Sequence, residues 1–389
     1  MANNALAAAK TAKNDEFYTQ FRDIELEINA YLEYNPDVFR GKTVLLPCDD
    51  PEWSNFTKFF AAKFDDLGLK KLISTSYAPD SKRYKTPYQP SLFEESAPQF
   101  DPDKTKTHGK IFVLDRDVTG DGHINIDDLE YSYLEGDGDF RSPEVSALRD
   151  EADIIITNPP FSLFRAFLVW ITDAKKQFLI IGNTNAITYK EVFPLIKDNK
   201  AWLGATGFST DMVFAVPENA DISEADRKKA ERLGYIGSYT RLGNSCWFTN
   251  IEHGRRHNPL ALMSMADNLR YSRHKDLCGR EDYPRYDNYN AIEVGYVDAI
   301  PSDYEGIMGV PITFLDKYCP EQFEILGNAS DSDWLRSVGV GPMGADTIKT
   351  LRMQGNKAHV TANMPSLYYT KDGKILLPYA RILIKKREQ

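Results

Sequence analysis

Apolar positions in the first half of the chain follow two alternating rhythms. Thr43-Val44-Leu45-Leu46, Leu72 to Tyr77, Asp153-Ile154-Ile155-Ile156-Thr157 and Phe178-Leu179-Ile180-Ile181-Gly182 are short apolar runs with the length and residue types of buried strands. Between them lie segments of helical spacing. Asp23 to Tyr34 reads as a helix. Phe56, Phe59, Phe60, Phe64 and Leu67 mark one face of a helix from Ser54 to Leu67, and Phe164, Phe167, Leu168 and Ile171 mark another from Ser162 to Lys175. This succession predicts an α/β fold with a doubly wound sheet, whose ligands would sit beyond the C-terminal strand ends.

Two regions break the rhythm. The chain from Tyr77 to Lys110 is polar and rich in proline, and the excursion extends over about 78–128 in all. After Asn250 the alternation stops, and aromatic, proline and basic residues take over. With 389 residues the chain is too long for one ordinary core. The expected division is therefore a catalytic domain over 1–252 and a second region over 253–389. The 42% hydrophobic and 27% charged content is that of a folded globular protein. No apolar run is long enough to cross a membrane, and the alanine-rich start has no signal-peptide core, so a cytoplasmic location is expected. Cys48, Cys246, Cys278 and Cys319 are widely spaced, which points to separate reduced thiols rather than a disulfide framework or a zinc site. A net charge of −10 excludes a chain that coats nucleic acid indiscriminately. Local basic faces are still available in Arg255-Arg256-His257, in Arg270 to Lys275 and in Lys385-Lys386-Arg387.

The most informative chemistry follows the strand Ile154–Thr157. Asn158-Pro159-Pro160-Phe161 stands where an α/β sheet presents its reactive groups. An adenine amine is a weak nucleophile because its lone pair is delocalised into the ring. The Asn158 side-chain oxygen and the Pro159 carbonyl can accept its two hydrogens and draw the nitrogen toward tetrahedral geometry. Tandem prolines stiffen the loop and remove two donors. Phe161 offers a flat face to a base rotated out of a duplex. The same four residues suit methylation of amines in RNA or of a protein glutamine, and a strand-to-helix turn with prolines is the structural alternative.

Two segments are candidates for a cofactor site. The strand Thr43–Leu46 runs into Cys48-Asp49-Asp50-Pro51 and then to a helix start at Ser54-Asn55. An acidic turn there would lie beside S-adenosylmethionine, although a Gly-x-Gly is missing and an Asp-Asp-Pro helix entry accounts for the turn equally well. Gly136-Asp137-Gly138-Asp139-Phe140 offers Asp139 as an acceptor for a cofactor amine and Phe140 as a surface for its ring, or is simply a glycine-rich turn. A further loop, Asp117 to Asp128, fits the twelve-residue calcium register. Asp117, Thr119, Asp121, His123 and Asp128 fall at ligand positions, and Leu129 onward is expected to form the exiting helix. Calcium bound there would be structural.

Taken together, these segments resemble the EcoRI-type adenine-specific DNA methyltransferases. The resemblance is carried by Asp15-Glu16-Phe17-Tyr18-Thr19-Gln20, Cys48-Asp49-Asp50-Pro51, Gly136 to Ser142 and Thr157 to Phe164. It continues through Ile187 to Phe193, Tyr286-Asp287-Asn288-Tyr289, Met308 to Leu315, Pro320 to Glu324 and Arg381 to Lys385. It implies a Rossmann-like, S-adenosylmethionine-dependent methyltransferase sheet with an appended C-terminal target-recognition region. It also implies a bacterial role in restriction-modification or solitary modification, with double-stranded DNA as partner. A cognate restriction endonuclease would act on the same site without direct binding. By analogy Tyr18, Thr19, Asp49, Asp50, Asp139 and Phe140 would line the cofactor pocket, with Asn158 to Phe161 around the flipped adenine; Cys48, Pro51, Ser54, Asn55 and Asn158 complete the candidates for cofactor contact. Arg255, Arg273, Lys275 and Arg285 are candidates for DNA contact. A catalytically inactive DNA-binding relative is the contrasting expectation. Asp80 to Asp128 and Ala329 to Pro365 have no clear counterpart in the family.

Overall fold

The computed structural model describes residues 18–49, 54–81, 95, 97–208, 212–216, 222–241, 243–356 and 363–387. The chain divides into two compact units. One comprises Met1–Ala186 with Ala201–Gly254, the other Ile187–Lys200 with Arg255–Gln389.

In the first unit β1 (Tyr18–Thr19) leads into α1 (Phe21–Tyr34). The chain continues through β2 (Thr43–Leu46), α2 (Asn55–Ala62), α3 (Phe64–Leu67), β3 (Lys71–Thr75), β4 (Lys110–Leu114) and β5 (Glu130–Tyr133). After α4 (Pro143–Glu151) come β6 (Ile154–Thr157), α5 (Phe164–Asp173), β7 (Gln177–Asn183), β8 (Trp202–Leu203), β9 (Val213–Ala215), β10 (Tyr239–Arg241) and β11 (Ser245–Thr249). Eight strands form one sheet in the order β5-β4-β3-β2-β6-β7-β11-β8. The four central strands β3, β2, β6 and β7 are parallel. The doubly wound sheet is thus present but mixed, because β4 and β5 run antiparallel on one edge and β11 and β8 on the other. From β2 the strand order departs both ways, to β3 on one side and β6 on the other. That reversal opens a crevice at the strand ends.

β2 and β6 are buried from end to end and β3 and β7 at all but their first residues, as runs such as Ile154-Ile155-Ile156 require. Ile154, Ile156, Leu179, Ile181 and Trp247 share one apolar cluster with Ile24 and Ile28 of α1 and Phe56, Phe59 and Phe60 of α2. The helix expected over Ser54–Leu67 is broken at Lys63. The apolar spacing continues through the break, and Gly68, at φ 61°, ends the second piece. A small antiparallel sheet, β1-β9-β10, stands beside the main one.

Two acidic groups of α1 tie it to neighbouring segments. Glu27 is fully buried and accepts from Tyr31 Oη at 2.9 Å, Ala205 N at 2.7 Å, Thr206 N at 2.8 Å and Thr206 Oγ1 at 2.7 Å. Burial raises its pKa despite those bonds. Asp23 accepts from Val213 N at 3.4 Å, and burial raises its pKa to about 6.

The second unit holds a four-stranded sheet in the order β12-β13-β17-β14, from β12 (Ala291–Glu293), β13 (Ile307–Pro311), β14 (Phe323–Asn328) and β17 (Arg381–Lys386). Between the last two lies the hairpin of β15 (Tyr369–Lys371) and β16 (Lys374–Leu376). Tyr286, Ala291, Leu335, Val340, Leu367 and Leu383 form its core. Within it Glu293 pairs with Arg381 at 2.5 Å and accepts the Tyr286 hydroxyl. The helix α6 (Phe193–Lys197) packs against β14, with Phe193 and Ile196 buried. Among the described residues no helix is long and apolar enough to cross a membrane. All four cysteines are free thiols, and Cys278 is exposed.

The Asp23 carboxyl supports a test of the fold. Its folded pKa lies above the unfolded value, so its contribution to stability is most favourable at low pH and is lost as pH rises through about 6. Asp23→Asn should therefore leave the melting temperature nearly unchanged at about pH 3.5, below the unfolded carboxyl pKa of 3.8. At pH 8 it should raise stability by about 1–2 kcal/mol, read by thermal denaturation at both pH values.

Candidate active site at the ends of the parallel strands

The site is built where β2, β3 and β6 end. Thr157, the last residue of β6, donates its hydroxyl to the Pro47 carbonyl at 2.7 Å, joining the ends of two adjacent strands. Beyond Pro47 the backbone turns through Cys48, which has a left-handed φ of 69°. Asp49 N then donates to Thr75 O of β3 at 2.8 Å. The buried Asp49 carboxylate accepts from Ser54 Oγ at 2.7 Å, and that same oxygen caps α2 by accepting from Phe56 N at 3.1 Å. Ser74 donates to the Asp49 carbonyl and pairs with Thr57 Oγ1 at 2.9 Å. Next to Ser54, Asn55 donates through Nδ2 to the Thr19 carbonyl at 2.8 Å. The structure thus brings Thr19, Cys48, Asp49, Ser54 and Asn55 together, with Tyr18 in the same short strand as Thr19. Asp50 and Pro51 lie outside the described residues, as do Asp15, Glu16 and Phe17.

The glycine-rich loop reaches the same strand ends from the β3 side. Ala78 N donates to Asp137 O at 2.8 Å. Gly138 has a φ of 82°, and a Cβ there would lie 2.2 Å from Ser76 O, so the loop can lie this close only as glycine. Asp139 accepts from Arg141 Nε at 2.9 Å and Nη2 at 2.5 Å. The Arg141 hydrogen bonds hold its carboxyl below the ordinary range. Phe140 is buried, and its ring meets Phe167 and Trp170 with centroids 5.0 and 5.5 Å away.

Asn158 is half-buried with its Oδ1 covered, and Pro159 is buried. The turn closes through Leu163 N to Pro160 O at 2.9 Å, and α5 follows directly. Phe161 is partly covered and packs against the main apolar cluster. The arrangement is a rigid turn of acceptors at the end of β6, next to a polar turn at the end of β2.

S-adenosylmethionine fits the residues present. Beside Asp49, the Thr75 Oγ1 and Thr19 Oγ1 atoms are buried without a hydrogen-bond partner among the described residues. Buried hydroxyls of this kind suit the polar amino-acid end of such a ligand.

Calcium is not supported in the loop 117–128, and the expectation is corrected on two grounds. The Asp128 carboxylate accepts from Val118 N and Thr119 N, each at 2.8 Å, and from Asn125 N at 3.0 Å. These bonds, the Thr119 N–H foremost, hold it down to about 2. Asp117 accepts from Gly120 N at 2.5 Å and Gly122 N at 2.8 Å, and Asp121 accepts from His123 N at 2.9 Å. The oxygens of Asp117, Asp121 and Asp128 bind their own backbone, and Thr119 Oγ1 turns to Asp117 at 3.4 Å. Among the described residues no group of three or more His, Cys, Asp or Glu is placed to hold a metal ion. The segment after Leu129 is the strand β5 instead of an exiting helix.

The basic candidates separate by environment. Arg255 donates to the Asp316 carboxylate at 3.0 Å and to its carbonyl at 3.2 Å, and Arg256 is buried against Asn199. Lys386 and Arg387 are bonded to the carbonyls of Ser302 and Pro320. Arg273 is 80% exposed although it pairs with Asp298 at 2.9 Å, and Lys275 and Arg285 are exposed.

Sequence reasoning counted Thr157 and Arg141 within matching segments but gave neither of them, nor Ser74, a role of its own. A threonine ending an isoleucine run reads as a strand former. The available signal was the hydroxyl itself, at the one place in Ile154–Thr157 where the apolar run stops. Thr157→Val keeps the shape but leaves the Pro47 carbonyl without its donor. The expected result is a loss of about 1–3 kcal/mol in urea denaturation, with weakened S-adenosylmethionine binding in calorimetry.

Comparison with known proteins agrees with this geometry. A family model described as adenine-specific methyltransferase EcoRI matches residues 5–387. The chain is 42% identical over 325 residues to the type II methyltransferase M.EcoRI of Escherichia coli, covering 83% of this chain and 89% of that protein. It is 33% identical over 321 residues to the type II methyltransferase M.MpnI of Mycoplasma pneumoniae, covering 82% and 83%. It is 34% identical over 321 residues to the type II methyltransferase M.MgeORF184P of Mycoplasma genitalium, covering 82% and 84%. No solved structure matches significantly. On the strength of a match that runs almost from end to end, the chain belongs to the EcoRI family of adenine-specific methyltransferases.

Proposed function

We propose that this adenine-specific methyltransferase modifies the exocyclic 6-amino group of an adenine in duplex DNA, with the base turned out of the helix onto the ends of β2 and β6. The observation that carries the reading is the Thr157 hydroxyl on Pro47 O, which fixes Asn158-Pro159-Pro160-Phe161 beside the Cys48–Asp49 turn. S-adenosylmethionine, when bound, supplies a methyl group on a positively charged sulfur.

The residues of the chain do the rest by position. Asn158 Oδ1 and the Pro159 carbonyl are acceptors for the two amine hydrogens, and holding them localises the nitrogen lone pair. The amine must lose one of those hydrogens, and an acceptor already on it eases that release without a strong base. Phe161 gives the base a face to stack on, and the covered surroundings of Asn158 exclude water. Tyr18, Thr19, Cys48, Asp49, Ser54 and Asn55 would hold the cofactor from the β2 side. Asp139 and Phe140 belong to the β3 side of that pocket.

Target recognition is assigned to the C-terminal region beyond residue 252. The compact unit containing it carries 21 Lys and Arg against 19 Asp and Glu, out of 47 and 57 in the whole chain. The acidic excess therefore falls on the other unit, and charge favours the C-terminal one as the partner of phosphate. Arg273, Lys275 and Arg285 are exposed there. Arg255, held by Asp316, is a weaker candidate. In a restriction-modification system the cognate endonuclease would meet the same DNA site without touching this protein.

Purified protein incubated with labelled S-adenosylmethionine and mixed-sequence duplex DNA should yield labelled N6-methyl-2′-deoxyadenosine on nucleoside digestion. Asn158→Ala should reduce the label at least a hundredfold while retaining cofactor binding. Label appearing instead in RNA or protein overturns the DNA assignment, and loss of cofactor binding in the wild type overturns the enzyme.

A further inference from the structure

β7 outruns its neighbour β6. Thr157, at the end of β6, pairs with Ile180, whereas β7 continues to Asn183. Across the next ladder Asn183 lies opposite Ser245, the first residue of β11. Both are buried. Asn183 Oδ1 accepts from Asn185 N at 2.9 Å, so the orientation of the amide is fixed and Nδ2 is left as the remaining donor. Among the described residues neither Asn183 Nδ2 nor Ser245 Oγ has a hydrogen-bond partner. Buried polar groups are rarely left without one, and two such atoms on residues paired across one ladder call for a ligand.

Strand alternation says which face they occupy. Leu179 and Ile181 of β7 and Trp247 of β11 belong to the apolar cluster beside α1 and α2. Two residues further along their strands, Asn183 and Ser245 continue that face. Ile154 and Ile156 of β6 lie in the same cluster, Asn158 stands two residues beyond Ile156, and Phe161 packs against the cluster. Asn183 and Ser245 thus form a polar rim at the strand ends, on the face to which the Asn158–Phe161 turn belongs.

The donor set is complementary to the part of adenine that Asn158 and Pro159 leave unsatisfied. Both of those groups offer acceptors and serve the amine. The ring nitrogens of adenine are acceptors and need donors. Asn183 Nδ2 is a donor, and Ser245 Oγ can act as one. We infer that Asn183 and Ser245 bind the ring of the flipped adenine by donating to a ring nitrogen, which sets the angle at which its amine meets Asn158. This inference rests on the proposed DNA adenine activity and adds the residues that hold the ring.

The test pairs changes in the protein with changes in the base. Once the methylated site has been mapped, duplexes carrying adenine, 1-deazaadenine or 7-deazaadenine at the target are compared. Full-length wild type, Asn183→Leu and Ser245→Ala are assayed for kcat and KM. The wild type should be slowed about tenfold on one deaza duplex. Asn183→Leu should lose about tenfold on adenine and nothing further on that analogue, with S-adenosylmethionine affinity unchanged. Ser245→Ala should show the same pattern to a smaller extent. An equal loss on all three duplexes is the signature of a merely structural residue and overturns the inference, as does a wild type indifferent to both analogues. If the variants do not fold, the wild-type profile decides alone. A wild type that methylates no adenine duplex fails the underlying reading instead.

Discussion

The hydrogen bond from Thr157 to the Pro47 carbonyl sets the geometry of everything at the strand ends. Parallel strands pair along their lengths, but their ends are free to splay where the chain leaves the ladder. In this sheet the pairing of β2 with β6 stops at Leu45 and Ile155. The side-chain bond beyond that point carries the register two residues further. It couples the turn that would hold the methyl donor to the turn that would hold the methyl acceptor. A reaction that depends on the alignment of two substrates needs such a coupling more than it needs a titrating group.

Several carboxylates of the first unit serve neighbouring backbone and hydroxyl groups. Asp49 takes the Ser54 hydroxyl, Asp128 takes three N–H groups, and Glu27 takes two N–H groups with two hydroxyls. Asp128 and Glu27 replace regular ladder bonds in irregular segments, where N–H groups must still find acceptors. The loop 117–128 shows the same economy. A spacing of Asp and Gly that suits a cation also suits a series of tight turns, and the local backbone bonds win because they require no ligand.

The central strands and the tetrad after β6 were legible because burial on both faces forces an uninterrupted apolar run, which Asn158 ends abruptly. The break at Lys63 was not legible, since Phe59, Phe60, Phe64 and Leu67 keep one apolar face on either side of it. Nor was the fate of Arg255, whose partner Asp316 lies 61 residues away. Charge along a sequence shows where cations are, not which carboxylate folds back onto them. The Asn183 and Ser245 rim was hidden for a related reason. An asparagine and a serine at strand ends look like ordinary turn formers until a register of long separation places them face to face.

The chain leaves the first unit after Ala186, contributes Ile187–Lys200 to the second, and returns at Ala201 before crossing again at Gly254. The second unit is therefore sewn from two pieces of chain. A fragment beginning at Arg255 would carry all four strands of its sheet yet lack Phe193 and Ile196, which are buried in the same unit where α6 packs on β14. Inheritance by simple truncation or tail exchange is closed to it. A new C-terminal unit, borrowed from a relative by recombination or by design, has to arrive in two coordinated grafts, and the short one begins in sequence four residues after Asn183.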